Sequence, residues 1–339
     1  MNRQPDFDNI RRILNRECPS RPTLFEFFLN APLYEKLTGY PTPDATKERD
    51  KYNRFLIEAF QAAGYDYATI HPPWQVSFQS NTVHFEKSLS ANEYSSIRTR
   101  EDFDKYAWPD PDKSDYSIYD RLTDSLPNGM KAIVCGPGGV LENVIRLVGY
   151  DATCIMTIED PELLKDIFER IGDILTRHYE LAAPFDSVGA LISNDDWGFN
   201  SQTMLSPEDF EFYLFPSHRK IARACHNAGK PVILHSCGNL EKIMDVIIDD
   251  IGYDGKHSYE DNIQPVEEAY EQYHSRIAIL GGIDLDFVCR KTPAEVTERS
   301  RKMLERSAER GSFGLGTGNS VPTYTPDENY FAMTAAALQ

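Results

Sequence analysis

The chain has 339 residues, 41% of them hydrophobic and 26% charged, and a formal charge of −18, which provides for a large core but excludes nucleic acid and acidic membrane surfaces, whose binding rests on Lys and Arg. No apolar run nears the roughly 20 residues of a membrane span, and Met1-Asn2-Arg3-Gln4-Pro5-Asp6 has no apolar signal segment. Six cysteines without a Cys-x-x-Cys pair complete the expectation of a cytoplasmic protein with free thiols, acting on a small molecule, with a homodimer as its oligomer if it has one.

In chain order, Phe25, Phe27 and Phe28 come first; clustered aromatics are most often core, and the alternative is an aromatic wall for a planar substrate. Residues 52–63 carry a helical pattern stopped by Gly64, and residues 66–70 follow as a strand. His71-Pro72-Pro73-Trp74 stands just beyond that strand, and a further strand is expected around residues 82–85. Trp108-Pro109-Asp110-Pro111-Asp112 marks a loop, but nothing ahead of it closes a separate core. Residues 1–339 therefore read as one domain, with 1–63 as an N-terminal helical elaboration and 64–339 as the barrel.

From Lys131 onward, short apolar runs alternate with long helical patterns, as parallel strands joined by helical crossovers do. The strand candidates are residues 132–135, 189–192, 232–235, 253–256, 277–280 and 313–315, the fourth being polar. Helix starts are marked by Asp160-Pro161, Ser206-Pro207, Thr292-Pro293 and Thr325-Pro326, each an N-cap oxygen before proline, the last three with a carboxylate at N3. Leu164, Ile167, Phe168, Ile171 and Leu175 form one core stripe, and Val296, Ser300, Met303 and Leu304 another. These elements predict an α/β fold, a TIM-type (β/α)8 barrel. An open doubly wound sheet would need a Gly-rich first turn, and Gly136-Pro137-Gly138-Gly139 lacks both G-x-G-x-x-G spacing and the lysine of a P-loop.

In such a barrel the functional side chains stand where strands end, because those ends converge on one mouth. That rule selects His71, Asn194, Asp195 and Asp196, His235 and Cys237, His257, Asp284 and the turn Thr317-Gly318-Asn319-Ser320, while Trp74, with His71, joins the phenylalanines as a candidate aromatic wall. His235-Ser236-Cys237 is the strongest candidate, since an imidazole and a thiolate two residues apart can face one Zn²⁺ ion; a packed cysteine beside a hydrogen-bonded histidine is the alternative. Asp195 and Asp196, adjacent after a strand, are candidates to orient substrate or hold a proton, or else a helix cap and a solvated neighbour. His71, Trp74, Asn194, His257, Asp284 and Asn319 are the candidate substrate contacts, with capping as the alternative for Asp284.

Taken together, Ile97-Arg98-Thr99-Arg100-Glu101-Asp102-Phe103, Asn194-Asp195-Asp196-Trp197-Gly198, Ser206-Pro207-Glu208, Pro231 to Asn239 with His235-Ser236-Cys237-Gly238, Gly281-Gly282-Ile283-Asp284 and Pro326-Asp327-Glu328-Asn329 resemble the uroporphyrinogen decarboxylase superfamily. The resemblance implies a TIM-type barrel with its cleft at the strand C-termini. Authentic decarboxylases of that superfamily carry an Arg-Gln-Ala-Gly-Arg-like segment for tetrapyrrole carboxylates, and the corresponding stretch here is Glu26-Phe27-Phe28-Leu29-Asn30, without an arginine clamp. The chain is closer to the corrinoid-dependent methyltransferase branch, in which a His-x-Cys pair and a distal cysteine bind zinc. His235 and Cys237 match the first two positions, while Gly316-Thr317-Gly318-Asn319-Ser320 holds no cysteine where the third is expected. Asp195, Asp196, Glu142 or Cys289 could complete the shell, or zinc could be lost. The resemblance thus implies a zinc-assisted methyltransferase working with a corrinoid on a partner protein. Metal-free decarboxylation and a non-catalytic, metabolite- or corrinoid-protein-binding barrel are the alternatives.

Overall fold

A computed structural model describes residues 3–80 and 95–338. Seven parallel strands pair in chain order in one curled sheet: β1 (Tyr67–Ile70), β2 (Lys131–Cys135), β3 (Val188–Asn194), β4 (Val232–His235), β5 (Gly255–His257), β6 (Ala278–Leu280) and β7 (Phe313–Gly314). Helices cross between most of them, as parallel neighbours require. Val134, Leu191, Ile233 and Ile279 are buried, as expected of strands covered on both faces.

The expected strand at residues 82–85 lies outside the described residues. A backbone segment near the N-terminus instead runs along β7: Phe25 N–H donates to Leu315 O at 2.8 Å, and Leu315 N–H donates to Thr23 O at 2.8 Å, with Leu24 bridged in parallel to Leu315. On the other side the Tyr67 hydroxyl of β1 donates to Glu26 O at 2.6 Å and accepts from Glu26 N–H at 2.7 Å. Residues 23–26 therefore bond to both edge strands, and Phe25 and Phe27 are buried.

The expected polar strand at 253–256 begins two residues later and ends one later, at Gly255–His257. Tyr253 and Asp254 instead prepare its entry, the Asp254 carboxylate accepting from Val232 N–H at 2.8 Å. Three helix starts follow their caps. Asp160 accepts from Leu163 N–H, Ser206 from Asp209 N–H, and Thr292 forms a reciprocal capping box with Glu295. The fourth differs: the last helix begins at Asp327, and the Thr325 hydroxyl lies 3.9 Å from Cys289 Sγ. Leu164, Ile167, Phe168, Ile171 and Leu175 are buried along Pro161–Ala182, whereas Leu304 of the second stripe is only half-buried. Among the described residues no helix is long and apolar enough to cross a membrane.

Candidate metal centre and its supporting network

The C-terminal ends of β3, β4 and β5 lie side by side, with Asn194 opposite His235 and His235 opposite His257. Beyond the last pairing the strands stay joined, Asp195 N–H donating to His235 O at 2.9 Å and Ser236 N–H to His257 O at 2.8 Å. Successive side chains of an extended chain point to opposite sides, so adjacent residues at this edge part company.

Asp195 turns into the protein and is wholly buried. Its carboxylate accepts from Leu141 N–H and Glu142 N–H, both at 3.0 Å, at the start of the helix Val140–Val148, and contacts His218 Nε2 at 3.0 Å. His218 Nδ1 in turn meets the Tyr253 hydroxyl at 2.6 Å. A Cβ at Gly139 would come within 2.1 Å of Asp195, so glycine is what admits the carboxylate to this helix end. The structure gives Asp195 a bracing task. Glu142, the capping partner of Gly139, is pushed up to about 8, first by burial and then by Asp195.

Asp196 turns to the mouth. Its Oδ1 accepts from Cys237 N–H at 2.8 Å and lies 4.0 Å from His235 Nε2. Cys237 Sγ is 3.9 Å from the same nitrogen. One donor atom from each of Asp196, His235 and Cys237 falls within 4.8 Å of the others, the one such His/Cys/Asp/Glu group among the described residues. Two donors on a tetrahedral zinc with bonds of 2.0–2.3 Å stand about 3.5 Å apart, so small side-chain movements close this set on an ion. Three N, S and O donors with a fourth position left open are the pattern of a catalytic zinc site. Of the other donors considered for this shell, Glu142 caps its helix, Cys289 lies against Thr325, and Asp195 is bonded elsewhere.

The buried network fixes which His235 nitrogen is bare. His257 Nε2 lies 3.2 Å from Thr317 O, and its Nδ1 lies 2.8 Å from His235 Nδ1. A carbonyl only accepts, so His257 carries its proton on Nε2 and presents a lone pair at Nδ1. His235 must then donate from Nδ1, which leaves its Nε2 lone pair facing Cys237 and Asp196. Burial holds both rings neutral, His235 pushed down to about 3 and His257 well below its usual range. An outer partner that sets the tautomer of a ligating histidine is a regular part of zinc sites.

Asn319 occupies the turn where the third cysteine was expected, and its Nδ2 donates to Cys237 Sγ at 3.2 Å. Ser258 Oγ is 3.7 Å from the same sulfur. Burial, with the Asp196 charge adding to it, pushes the Cys237 thiol up to about 12, and the Lys256 charge acts the other way. Lys256 is itself buried, its ammonium donating to Ser258 O at 2.5 Å and lying 4.3 Å from the Tyr259 ring centre. Sequence reading passed over Lys256 and His218. A lysine within the expected polar strand, between Gly255 and His257, was the available signal for the former.

The remaining candidates divide. Phe27 lies 4.7 Å from the His235 ring, and Phe28 stacks on His71 at 4.8 Å with 8° between planes. These aromatics, with Pro72, Trp74, Arg146 and Asn194, border a cavity of about 270 Å³ beside the metal centre. Asn194 Oδ1 is buried there without a hydrogen-bond partner. His71 is pushed down to about 4 by burial, and Trp74 is half exposed, its indole donating to Ala45 O at 3.1 Å. Asp284 stands apart: it caps the helix Leu285–Arg290 through Phe287 N–H at 2.8 Å and accepts from Asp261 N–H at 2.9 Å. His257 is buried behind His235 rather than in the cavity.

A family model described as Uroporphyrinogen decarboxylase (URO-D) matches residues 30–339. No curated protein matches the chain significantly. Among solved structures, a methyltransferase from Methanosarcina mazei is similar over 97% of both chains, with a TM-score of 0.73 and 15% identity, a likeness of fold. A GH113 beta-1,4-mannanase (TM-score 0.45, 13% identity, 87% of this chain and 94% of that one) and an intracellular xylanase from Thermoanaerobacterium saccharolyticum (0.41, 10%, 82% and 84%) are similar too loosely to bear on chemistry.

Proposed function

The chain belongs to the uroporphyrinogen decarboxylase family, and from that premise we propose that it is a methyltransferase of a TIM-type (β/α)8 barrel, with residues 23–26 in the eighth strand position, that moves a methyl group between a small substrate and a corrinoid on a partner protein. The observation that carries this reading is the convergence of Asp196, His235 and Cys237 at the strand ends, with a bare His235 Nε2. Those three residues would hold zinc, which when bound supplies Lewis-acid polarisation of the oxygen, nitrogen or sulfur that carries or receives the methyl group. His257 and Thr317 keep the His235 lone pair on the open side, and Asn319 steadies the Cys237 sulfur. The similarity in fold to the Methanosarcina mazei methyltransferase agrees with the branch.

The substrate side is the cavity bordered by Phe28, His71, Trp74 and Asn194. Stacked rings and prolines favour a planar apolar body, such as an aryl methyl ether, and the unpartnered Asn194 Oδ1 favours a ligand hydroxyl or N–H beside it. Tetrapyrrole decarboxylation is the weaker reading, because Arg146 is the one Lys or Arg lining this cavity among the described residues, too few counter-charges for several carboxylates.

The test is transfer to reduced free cobalamin, the surrogate for the corrinoid protein, from a panel of phenyl methyl ethers and methylamines, followed by the cobalamin spectrum. Methylation that needs His235 and Cys237 is the expected result. Binding of panel members without transfer in either direction would leave a non-catalytic barrel as the better reading.

A further inference from the structure

The signal passed over in the sequence is a lone carboxyl within an apolar run, Leu24-Phe25-Glu26-Phe27-Phe28. Glu26 is fully buried, and no cation is among the charges acting on it. Its side chain instead meets one residue twice: Thr317 N–H donates to Oε1 at 2.7 Å, and Thr317 Oγ1 lies 2.8 Å from Oε2. The same Thr317 hydroxyl also bonds Asn319 O. A hydroxyl has one proton, and the Asn319 carbonyl can only accept it. Thr317 therefore donates to Asn319, and the contact with Oε2 needs its proton from Glu26. An uncharged carboxyl satisfies every partner here, with Oε1 accepting and Oε2–H donating.

From Thr317 two arms reach the metal centre. Its carbonyl accepts from His257, which fixes the His235 tautomer. Its hydroxyl holds Asn319 O, and the Asn319 amide touches Cys237 Sγ. We propose that Glu26 is a positioning residue acting as an uncharged acid, which through Thr317 sets both the His235 lone pair and the Asn319 contact to Cys237. The proposal rests on the reading of Asp196, His235 and Cys237 as a metal site only for its purpose, since the network exists without an ion. Burial agrees with the uncharged form, pushing Glu26 up to about 8. The groups that face it do not supply a charge. Tyr34, Tyr65, Tyr67 and Tyr330 are phenols pushed further up by burial, and His257 is held neutral.

The experiment is ¹⁵N NMR of histidine-labelled protein without metal, which reads imidazole tautomers directly, in wild type, Glu26→Gln and Glu26→Leu. Glutamine can donate from its amide nitrogen and accept at its oxygen, the pattern deduced for the acid. Wild type and Glu26→Gln are expected to hold His235 protonated at Nδ1 and His257 at Nε2 at pH 7. Above about pH 8 the wild-type pattern is lost as Glu26 ionises, and that of Glu26→Gln is not. Glu26→Leu loses the pattern at pH 7, and its zinc affinity falls about 10- to 100-fold, as loss of an outer partner costs. If Glu26→Leu does not fold, the wild-type titration against Glu26→Gln decides alone. Glu26→Gln disordered at pH 7, or a wild type whose tautomers ignore pH up to 10, overturns the proposal. The tautomers hold or fail whether or not the protein transfers methyl groups, so the two readings fail separately.

Discussion

Cys237→Ala is expected to purify without metal, while wild type carries about one zinc per chain, and to lose methyl transfer by more than the roughly 10–100-fold that loss of an outer partner costs. The sulfur lies 3.9 Å from His235 Nε2, and its own backbone N–H binds the Asp196 carboxylate, so removing it opens the set on the side where all three donors meet. Without an ion the thiol is pushed up to about 12 by burial and by Asp196, and almost no thiolate exists at neutral pH. A cation coordinated there displaces the thiol proton, so affinity in wild type rises with pH. That proton is missing in the variant. The alanine should leave the fold intact, because a small, partly exposed group is removed and its backbone bonds remain. Elemental analysis beside a melting curve checks both halves, and a folded Cys237→Ala that keeps its zinc would count against the assignment.

The second large effect separates the two neighbouring aspartates. Asp195→Ala leaves two helix-end N–H groups and His218 Nε2 without their shared acceptor, Leu141 and His218 lying in the interior and Glu142 partly buried. Each buried orphan costs about 1–3 kcal/mol, so a loss of about 4 kcal/mol is expected, a large part of the 5–15 kcal/mol that holds a typical domain. At about 2–4 °C per kcal/mol for large domains, the midpoint should fall by roughly 10 °C. Asp196→Ala gives up one exposed-side contact to Cys237 N–H and should melt near wild type while losing metal. Thermal melts of the pair test this, and equal destabilisation by both would contradict the division.

The strands were legible because buried parallel strands are unbroken apolar runs; β2, β3 and β4 fall where residues 132–135, 189–192 and 232–235 predicted them. The segment at residues 23–26 was not legible as a strand, since it joins β7 over a single bridged residue, Leu24, and its Phe residues read as core or cavity wall. His235 and Cys237 could be chosen from strand position alone. Asp195 and Asp196 could not be told apart, because their opposite orientations follow from how the chain leaves β3. Asp284, read as a substrate contact or a cap, is seen as a cap. Thr317 and His257 matter through hydrogen bonds between segments 60 residues apart in sequence, which no local pattern encodes.

The most direct measurement is X-ray absorption at the zinc edge of reconstituted wild-type protein. One sulfur scatterer is expected, with the remaining ligands nitrogen or oxygen, the sulfur supplied by Cys237 and one oxygen by Asp196. A shell with two or more sulfurs, or with none, would contradict this assignment.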